Sequence, residues 1–357
     1  MSSGNWMRYL KKIKPYTIKK GIRYLKHYGP KEFWVRLCER MEPEEVPYGP
    51  WFENHKLSEK ELEGQRRKQW KKQPLISVVV PAYKTPAKFL REMIESLEVQ
   101  TYTNWELCIA NASPEDAAMS EVLREYTSKD ARVKVENLKE NLGIAENTNA
   151  ALVMASGDYL VPVDHDDLVP ENALYEFASA IRRDDVIDML YSDEDKVSMD
   201  GRHFFEPHFK PDFDLDLLCS VNYICHLLAV RKDVAERAGS YQSAFDGAQD
   251  LDFILRCSEQ AKKIYHVPKI LYHWRCHENS TAENPESKTY AFEAGRRAVQ
   301  EHYNRVGVHA KVSDGEFPGL YRTEFIRDHD PLISIIIPNK DHIDDLKRCM
   351  DSIEQKS

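Results

Sequence analysis

Pro74-Leu-Ile-Ser-Val-Val-Val-Pro81 is the stretch on which the fold turns. Its apolar core is continuous rather than alternating, and prolines bound it at both ends. A short run of this kind suits a strand buried on both faces of a parallel sheet. Outward from it, strands and helices alternate. Thr85 and Pro86 give an N-cap and a first-turn signal for a helix reaching about residue 99. Residues 105–110 read as a second strand, and Ser113-Pro114 opens another helix in the same way. Next come a short strand at 132–136, a helix over about 144–155 and a fourth strand at 159–163. That strand ends in Asp164-His-Asp-Asp167, with a further helix beginning near Pro170. The alternation predicts an α/β fold with a mixed, mostly parallel sheet between helices. In such sheets ligands bind beyond the carboxyl ends of the strands. Pro81-Ala-Tyr83, Asn111-Ala-Ser113 and the acidic cluster all fall at those ends.

The turn after the first strand excludes the common nucleotide folds. Pro-Ala-Tyr-Lys-Thr-Pro contains no glycine, so backbone approach to a dinucleotide pyrophosphate is unsupported. Neither a P-loop nor a Gly-x-Ser-x-Gly nucleophile elbow occurs anywhere. A phosphate-handling site without glycine loops needs another source of positive charge, and a metal ion is the candidate. Carboxylates at i and i+2 beyond a strand can converge on one hard divalent cation, whose other positions go to water and substrate phosphates. The competing reading is a solvated acidic turn in which Asp167 helps to cap the next helix.

Composition bounds the rest. Of 357 residues, 42% are hydrophobic and 31% charged, as expected of a folded chain with a full core, and the length suits about two domains. No apolar run is long enough for a membrane-spanning helix. Basic residues interrupt every apolar stretch near the N-terminus, so no signal peptide is expected. Seven cysteines without a Cys-x-x-Cys pair fit reduced thiols in the cytoplasm. The net charge of -9 is unevenly placed: residues 1–40 carry eleven Lys or Arg against Glu32 and Glu39, leaving -18 on the remainder. An acidic body argues against nucleic-acid binding. The basic head, with Trp6, Leu10 and Ile13 at helical spacing, reads either as a peripheral contact with an anionic membrane face or as a solvated helical extension.

Further motifs complete the pattern. Leu75-Ile-Ser-Val-Val-Val-Pro-Ala-Tyr83, Asn141-Leu-Gly-Ile-Ala-Glu-Asn-Thr-Asn149 and Gly157-Asp-Tyr-Leu-Val-Pro-Val-Asp-His-Asp-Asp167 resemble the nucleotide-sugar half of family 2 glycosyltransferases with the GT-A fold. Asp246-Gly-Ala-Gln-Asp-Leu-Asp252 and Tyr272-His-Trp-Arg-Cys-His-Glu-Asn-Ser280 resemble the acceptor half. Tyr191-Ser-Asp-Glu-Asp-Lys196 and Phe209-Lys-Pro211 look most like the bacterial polysaccharide and O-antigen, rhamnosyltransferase-like branch.

The resemblance implies an inverting transfer of a hexose-type sugar from a nucleotide diphosphate, UDP- or dTDP-linked, to a glycan or lipid-linked acceptor, with Mn²⁺ or Mg²⁺. Pro81 and Tyr83 would line the nucleobase pocket. Asn111 stands where the family usually has an aspartate, and Ser113, Asn141 and Gly143 fall in the same donor site. Asp164 and Asp166 would hold the metal, with His277 as a later metal or diphosphate ligand, and Asp250 would be the catalytic base.

Several residues keep two readings. Asp250 in a helix's first turn is favoured by the macrodipole without any catalysis, and Asp252 is the weaker alternative as base. His273 competes with His277. Arg275 is a candidate for the diphosphate and Lys210 a weak phosphate candidate. Asp193, Glu194 and Asp195 read either as an acceptor site or as a solvated turn. A sugar nucleotidyltransferase and a catalytically silent glycosyltransferase-like scaffold are the rival functions.

An internal repeat divides the chain. Pro74–Pro81 returns as Pro331-Leu-Ile-Ser-Ile-Ile-Ile-Pro338, and Leu90, Ser96 and Glu98 match Leu346, Ser352 and Glu354 after one deletion. The offset of 257 residues is the length of a domain. The expected organisation is a basic helical extension at 1–73, a GT-A domain at 74–290 and a helix and linker at 291–330. Residues 331–357 read as the truncated start of a second such domain, poorly ordered or packed opportunistically.

Overall fold

The computed structural model describes residues 47–276 and 289–356, with isolated helical positions at 22, 24–26, 29–30 and 33–34. Most of the basic head lies outside them, as does the membrane contact expected of it.

The first strand is where the sequence places it. β1 (Ile76–Ala82) pairs in parallel with β2 (Trp105–Asn111) on one side and β4 (Tyr159–Pro162) on the other, and β3 (Val133–Asn137) extends the sheet beyond β2. Past β4 the direction reverses. β7 (Leu228–Arg231) runs antiparallel between β4 and β5 (Met189–Val197). β5 also carries β6 (Phe204–His208) antiparallel and β8 (Ile264–Arg275) parallel. The eight strands form one mixed sheet.

Helices cover both faces, which is why β1 is apolar throughout. Val78 and Val80 face α3 (Ala87–Glu98), α4 (Ala117–Lys129) and α6 (Ala173–Arg183), whereas Val79 faces α5 (Ile144–Met154) and α9 (Gln249–Gln260). Each such side chain contributes about 1.5–3 kcal/mol by leaving water. In α3 the buried Phe89, Leu90, Met93, Ile94 and Leu97 recur at helical spacing and make one apolar face. The short α7 (Leu215–Leu218) and α8 (Lys232–Ala238) bracket β7 on the α9 side. α10 (Thr289–Arg305) packs on α9, and β9 (Ala310–Asp314) and β10 (Tyr321–Phe325) form a separate hairpin sheet. α11 (Ile343–Lys356) ends the described chain.

Before β1, α1 (Tyr48–His55) and α2 (Glu59–Arg66) dock on the domain rather than standing off it. The Tyr48 hydroxyl donates to Asp195 at 2.5 Å, and Phe52 packs on Phe204 with ring centroids 4.5 Å apart. A capping box between Ser58 and Glu61 starts α2, whose Gln65 accepts from Thr101 at 2.7 Å.

Glu106 staples the end of the sheet away from the cleft. It accepts from Ser77 (2.6 Å), Lys134 (2.6 Å) and the Ser156 amide (2.6 Å), tying β1, β2, β3 and the turn before β4. Burial alone would raise its carboxyl, but these donors pull it down to about 2. Gly157 completes the turn, because a Cβ there would lie 2.6 Å from the Leu75 carbonyl.

Three helix starts differ from the sequence reading. Pro86, not Thr85, is the N-cap residue of α3, and the Thr85 hydroxyl is buried without a hydrogen-bond partner. α4 is capped by Asp116, which accepts from the Met119 amide, because Ser113 is already engaged with the Lys84 amide. α6 begins at Ala173 instead of near Pro170, since the Pro170 and Glu171 carbonyls are held by Gln100 and Thr101. Asp167 therefore caps no helix.

Candidate active site

The parallel strands point their carboxyl ends at one cleft. At the end of β1, Pro81 is half-buried and Tyr83 is exposed, with the Lys84 ammonium 5.1 Å from its ring centroid. Asn111 and Ser113, expected at the base, are wholly buried instead. The Asn111 carboxamide donates to Asn137 at 2.8 Å and accepts from the Ser113 amide at 3.0 Å, so it braces the turn after β2. Asn141 accepts from the Gly143 amide (3.1 Å) and from Asn147 (2.8 Å), folding the loop that leads into α5. Gly143 sits at φ +93°, a conformation that favours glycine.

The acidic loop after β4 is locked from behind. The Tyr272 hydroxyl donates to Asp167 at 2.5 Å and accepts from the Asp164 amide at 3.2 Å. The second Asp167 oxygen accepts from the Arg275 amide at 2.7 Å. Burial, then the neighbouring Asp166 and Asp164, holds the Asp167 carboxyl well above the usual carboxylate range. Arg275 does not reach the cleft as a diphosphate contact. Its wholly buried guanidinium donates to the Asp166 carbonyl (2.6 Å) and the Met199 carbonyl (3.0 Å), pairs with Glu92 at 2.8 Å and stacks over Phe89. With the backbone and Asp167 so committed, Asp164 and Asp166 keep side-chain exposures of 41% and 16%.

Those two carboxylates are the hard-oxygen set that Mg²⁺ or Mn²⁺ takes when water and phosphate complete its shell. Among the described residues no three His, Cys, Asp or Glu side chains gather as a metal cluster. His277 lies outside the described residues.

Across the cleft, Asp250 stands in the first turn of α9 and accepts from Asn222 at 2.8 Å. Burial raises its carboxyl above the ordinary value; His226 pulls it down and Asp164 pushes it up. Asp252 is excluded as an alternative, because it is buried against Arg256 at 2.7 Å.

His226 lies between the two sets of acids. Its Nε2 is 3.7 Å from Asp164, and its ring stacks on Tyr272 at 4.5 Å. Neither His226 nor Asn222 stands out in the sequence: Asn222-Tyr-Ile-Cys-His226 falls between two short elements, without a motif. The one available signal was a pair of polar side chains flanking apolar ones just before β7.

The acids of β5 are neither a solvated turn nor an open acceptor site. Asp193 pairs with His266 at 2.8 Å, Asp195 with His273 at 2.5 Å, and Glu194 with Lys210 at 3.2 Å. Lys210 is no phosphate ligand: it is buried, and its ammonium also holds the carbonyls of Ile224 (2.6 Å) and His226. Glu194 further accepts from the His226 amide at 3.1 Å. The buried ladder thus carries the segment that presents His226, and His273 serves the sheet, not the cleft.

Residues 77–239 match the profile described as Glycosyl transferase family 2. The chain carries a glycosyl transferase family 2 domain. The matched span holds the strand ends at Tyr83 and Asn111 and the acidic loop of this glycosyl transferase domain, and stops short of Asp250. Relatives include an uncharacterized protein, y4gI, of Sinorhizobium fredii, 41% identical over 78% of this chain and 31% of that protein. The O-antigen biosynthesis protein RfbC of Myxococcus xanthus is 34% identical over 79% of this chain and 22% of that protein. A chondroitin synthase of Pasteurella multocida is 27% identical over 58% of this chain and 21% of that protein. The chain therefore spans under a third of the length of these relatives. Among solved structures, S. aureus TarS 1-349 in complex with UDP-GlcNAc is similar with a TM-score of 0.51, at 20% identity over 62% of this chain and 66% of that one. The likeness establishes a shared GT-A architecture. No helix among the described residues is long and apolar enough to cross a membrane.

Proposed function

We propose that this chain is a metal-dependent, inverting glycosyltransferase of the bacterial polysaccharide type. It would move a sugar from a nucleotide diphosphate, UDP- or dTDP-linked, to a glycan or lipid-linked acceptor at the cytoplasmic face of the membrane. The observation that carries this reading is a locked loop bearing Asp164 and Asp166, with His226 3.7 Å from Asp164 and the half-buried Asp250 carboxylate close enough to feel both His226 and Asp164.

Each group has a task in that chemistry. Asp164 and Asp166 would hold Mn²⁺ or Mg²⁺, which supplies Lewis-acid stabilisation to the departing phosphates. Tyr83 offers its exposed ring to the base, with Pro81 beside it. Asp250 takes the proton from the acceptor hydroxyl, and its raised carboxyl is the stronger proton acceptor for it. Asn222 orients that carboxylate by donating to one of its oxygens. Single displacement needs no covalent nucleophile. Localisation and any membrane contact rest on the basic residues 1–40.

Asp250→Asn is the test of the division of labour. Transfer should fall about 10²–10⁴-fold, while nucleotide affinity stays within about twofold of the parent. Equal loss of both would assign Asp250 to structure.

A further inference from the structure

Asp246 belongs to the same short motif as Asp250, yet the transfer chemistry gives it no task. Its place in the structure is specific. One carboxylate oxygen accepts from the Ala145 amide, in the first turn of α5, at 3.3 Å. The other lies where a side chain on Gly143 would be: a Cβ there would come within 2.8 Å of it. The carboxylate therefore occupies the space that Gly143 leaves empty, against the positive end of an eleven-residue helix. Two further contacts tie the same stretch to α5. Ser243 donates to Glu146 at 2.8 Å, and Asn149 exchanges hydrogen bonds with the Tyr241 backbone at 2.8 and 2.9 Å.

From Asp246 to Asp250 the chain has no slack. The Ala248 amide donates to the Phe245 carbonyl at 2.8 Å, and the Gly247 amide donates to the Gln249 side chain at 2.8 Å. Gly247 is closed in by Tyr290 and Ala291, which a Cβ would meet at 2.6 and 2.9 Å. On the other side, only Gly143 separates Ile144, where α5 begins, from Asn141-Leu142 of the donor loop. A displacement of Asp246 is thus transmitted in both directions, to the donor loop and to Asp250.

We infer that Asp246 is a positioning residue that fixes the donor loop Asn141–Gly143 relative to the base Asp250, so that sugar donor and acceptor hydroxyl meet in register. The inference rests on the transferase reading and deepens it.

The test compares Asp246→Asn with Asp246→Glu in the full chain. Asparagine has the same shape and keeps an acceptor for the Ala145 amide. Glutamate keeps the charge, but its extra methylene has no room against Gly143. Three quantities are read: Mn²⁺-dependent affinity for UDP, dTDP and GDP; turnover of the matching nucleotide sugar; and hydrogen exchange of the Ala145 to Asn147 amides. Misplacement by about 1 Å costs roughly 10²-fold in rate. D246E is therefore expected to lose at least about tenfold in kcat, with nucleotide affinity within about threefold and faster exchange at residues 145–147. D246N should stay within about threefold of the parent in all three. Equal turnover by the two variants overturns the inference, as does a loss in D246E shared equally by affinity and kcat. If the parent binds nucleotide but turns over no nucleotide sugar, the transferase reading fails instead. The exchange comparison then still decides whether Asp246 holds the loop.

Discussion

Val79 and Ile336 hold the same place in an eight-residue pattern and opposite places in the molecule. Val79 is 1% exposed, paired on both sides and covered by helices on both faces. Ile336 is 89% exposed, and residues 331–338 form no strand among the described residues. The helices after the two copies are alike in local detail. Ser96 bonds back to the Met93 carbonyl at 2.6 Å, and its counterpart Ser352 to the Cys349 carbonyl at 2.7 Å. Leu90 is buried, whereas Leu346 is only half so. What the pattern encodes locally, a helix with its i to i−3 bonds, is present in both copies. What it encodes through partners, a strand, exists only where β2 and β4 supply the ladder.

The largest test of that contrast is a charge placed at the matched positions. Val79→Asp buries an unpaired carboxylate and should cost more than about 4 kcal/mol, read as loss of the cooperative thermal transition. Ile336→Asp should change stability by less than about 0.5 kcal/mol. If the second variant destabilised the protein comparably, residues 331–338 would have a partner that the structure does not show.

The Glu106 staple sharpens the same comparison, because it holds Ser77, whereas Ser334 is exposed and has no equivalent partner among the described residues. Glu106→Gln should cost about 1–3 kcal/mol in denaturant unfolding, leaving Lys134 without its anion. With its folded value lowered to about 2, Glu106 adds stability that is fully present above its unfolded value of about 4.3 and disappears as pH falls through 2. The gap between the parent and E106Q should therefore close on acidification across that window. A gap constant with pH would mean that the ionised carboxylate is not what stabilises the turn. The smallest effect is expected from the serines: Ser77→Ala should cost about 1 kcal/mol and Ser334→Ala nothing measurable.

The two regions also show what could be read in advance. The parallel half of the sheet was legible, because strands buried on both faces are continuous apolar runs and their carboxyl ends fall at Tyr83, Asn111 and Asp164. The antiparallel half was not. Asp193-Glu194-Asp195 contradicts any strand pattern until His266, Lys210 and His273 arrive from 15 or more residues away to pair with them. Arg275 misled for a related reason: an arginine near phosphate chemistry invites a phosphate role, while the fold uses its planar fork to brace the acidic loop. His226 was missed because its neighbours in the cleft, Asp164 and Tyr272, are distant in sequence.

The most direct test of the proposed donor site is calorimetric titration of the full chain with UDP, dTDP and GDP, each with Mn²⁺ and again with EDTA, beside Asp166→Ala. The expected result is binding of one nucleotide that requires Mn²⁺ and is lost in D166A. Binding indifferent to EDTA and to D166A, or none at all by folded protein, would contradict a metal-dependent nucleotide-sugar site at Asp164 and Asp166.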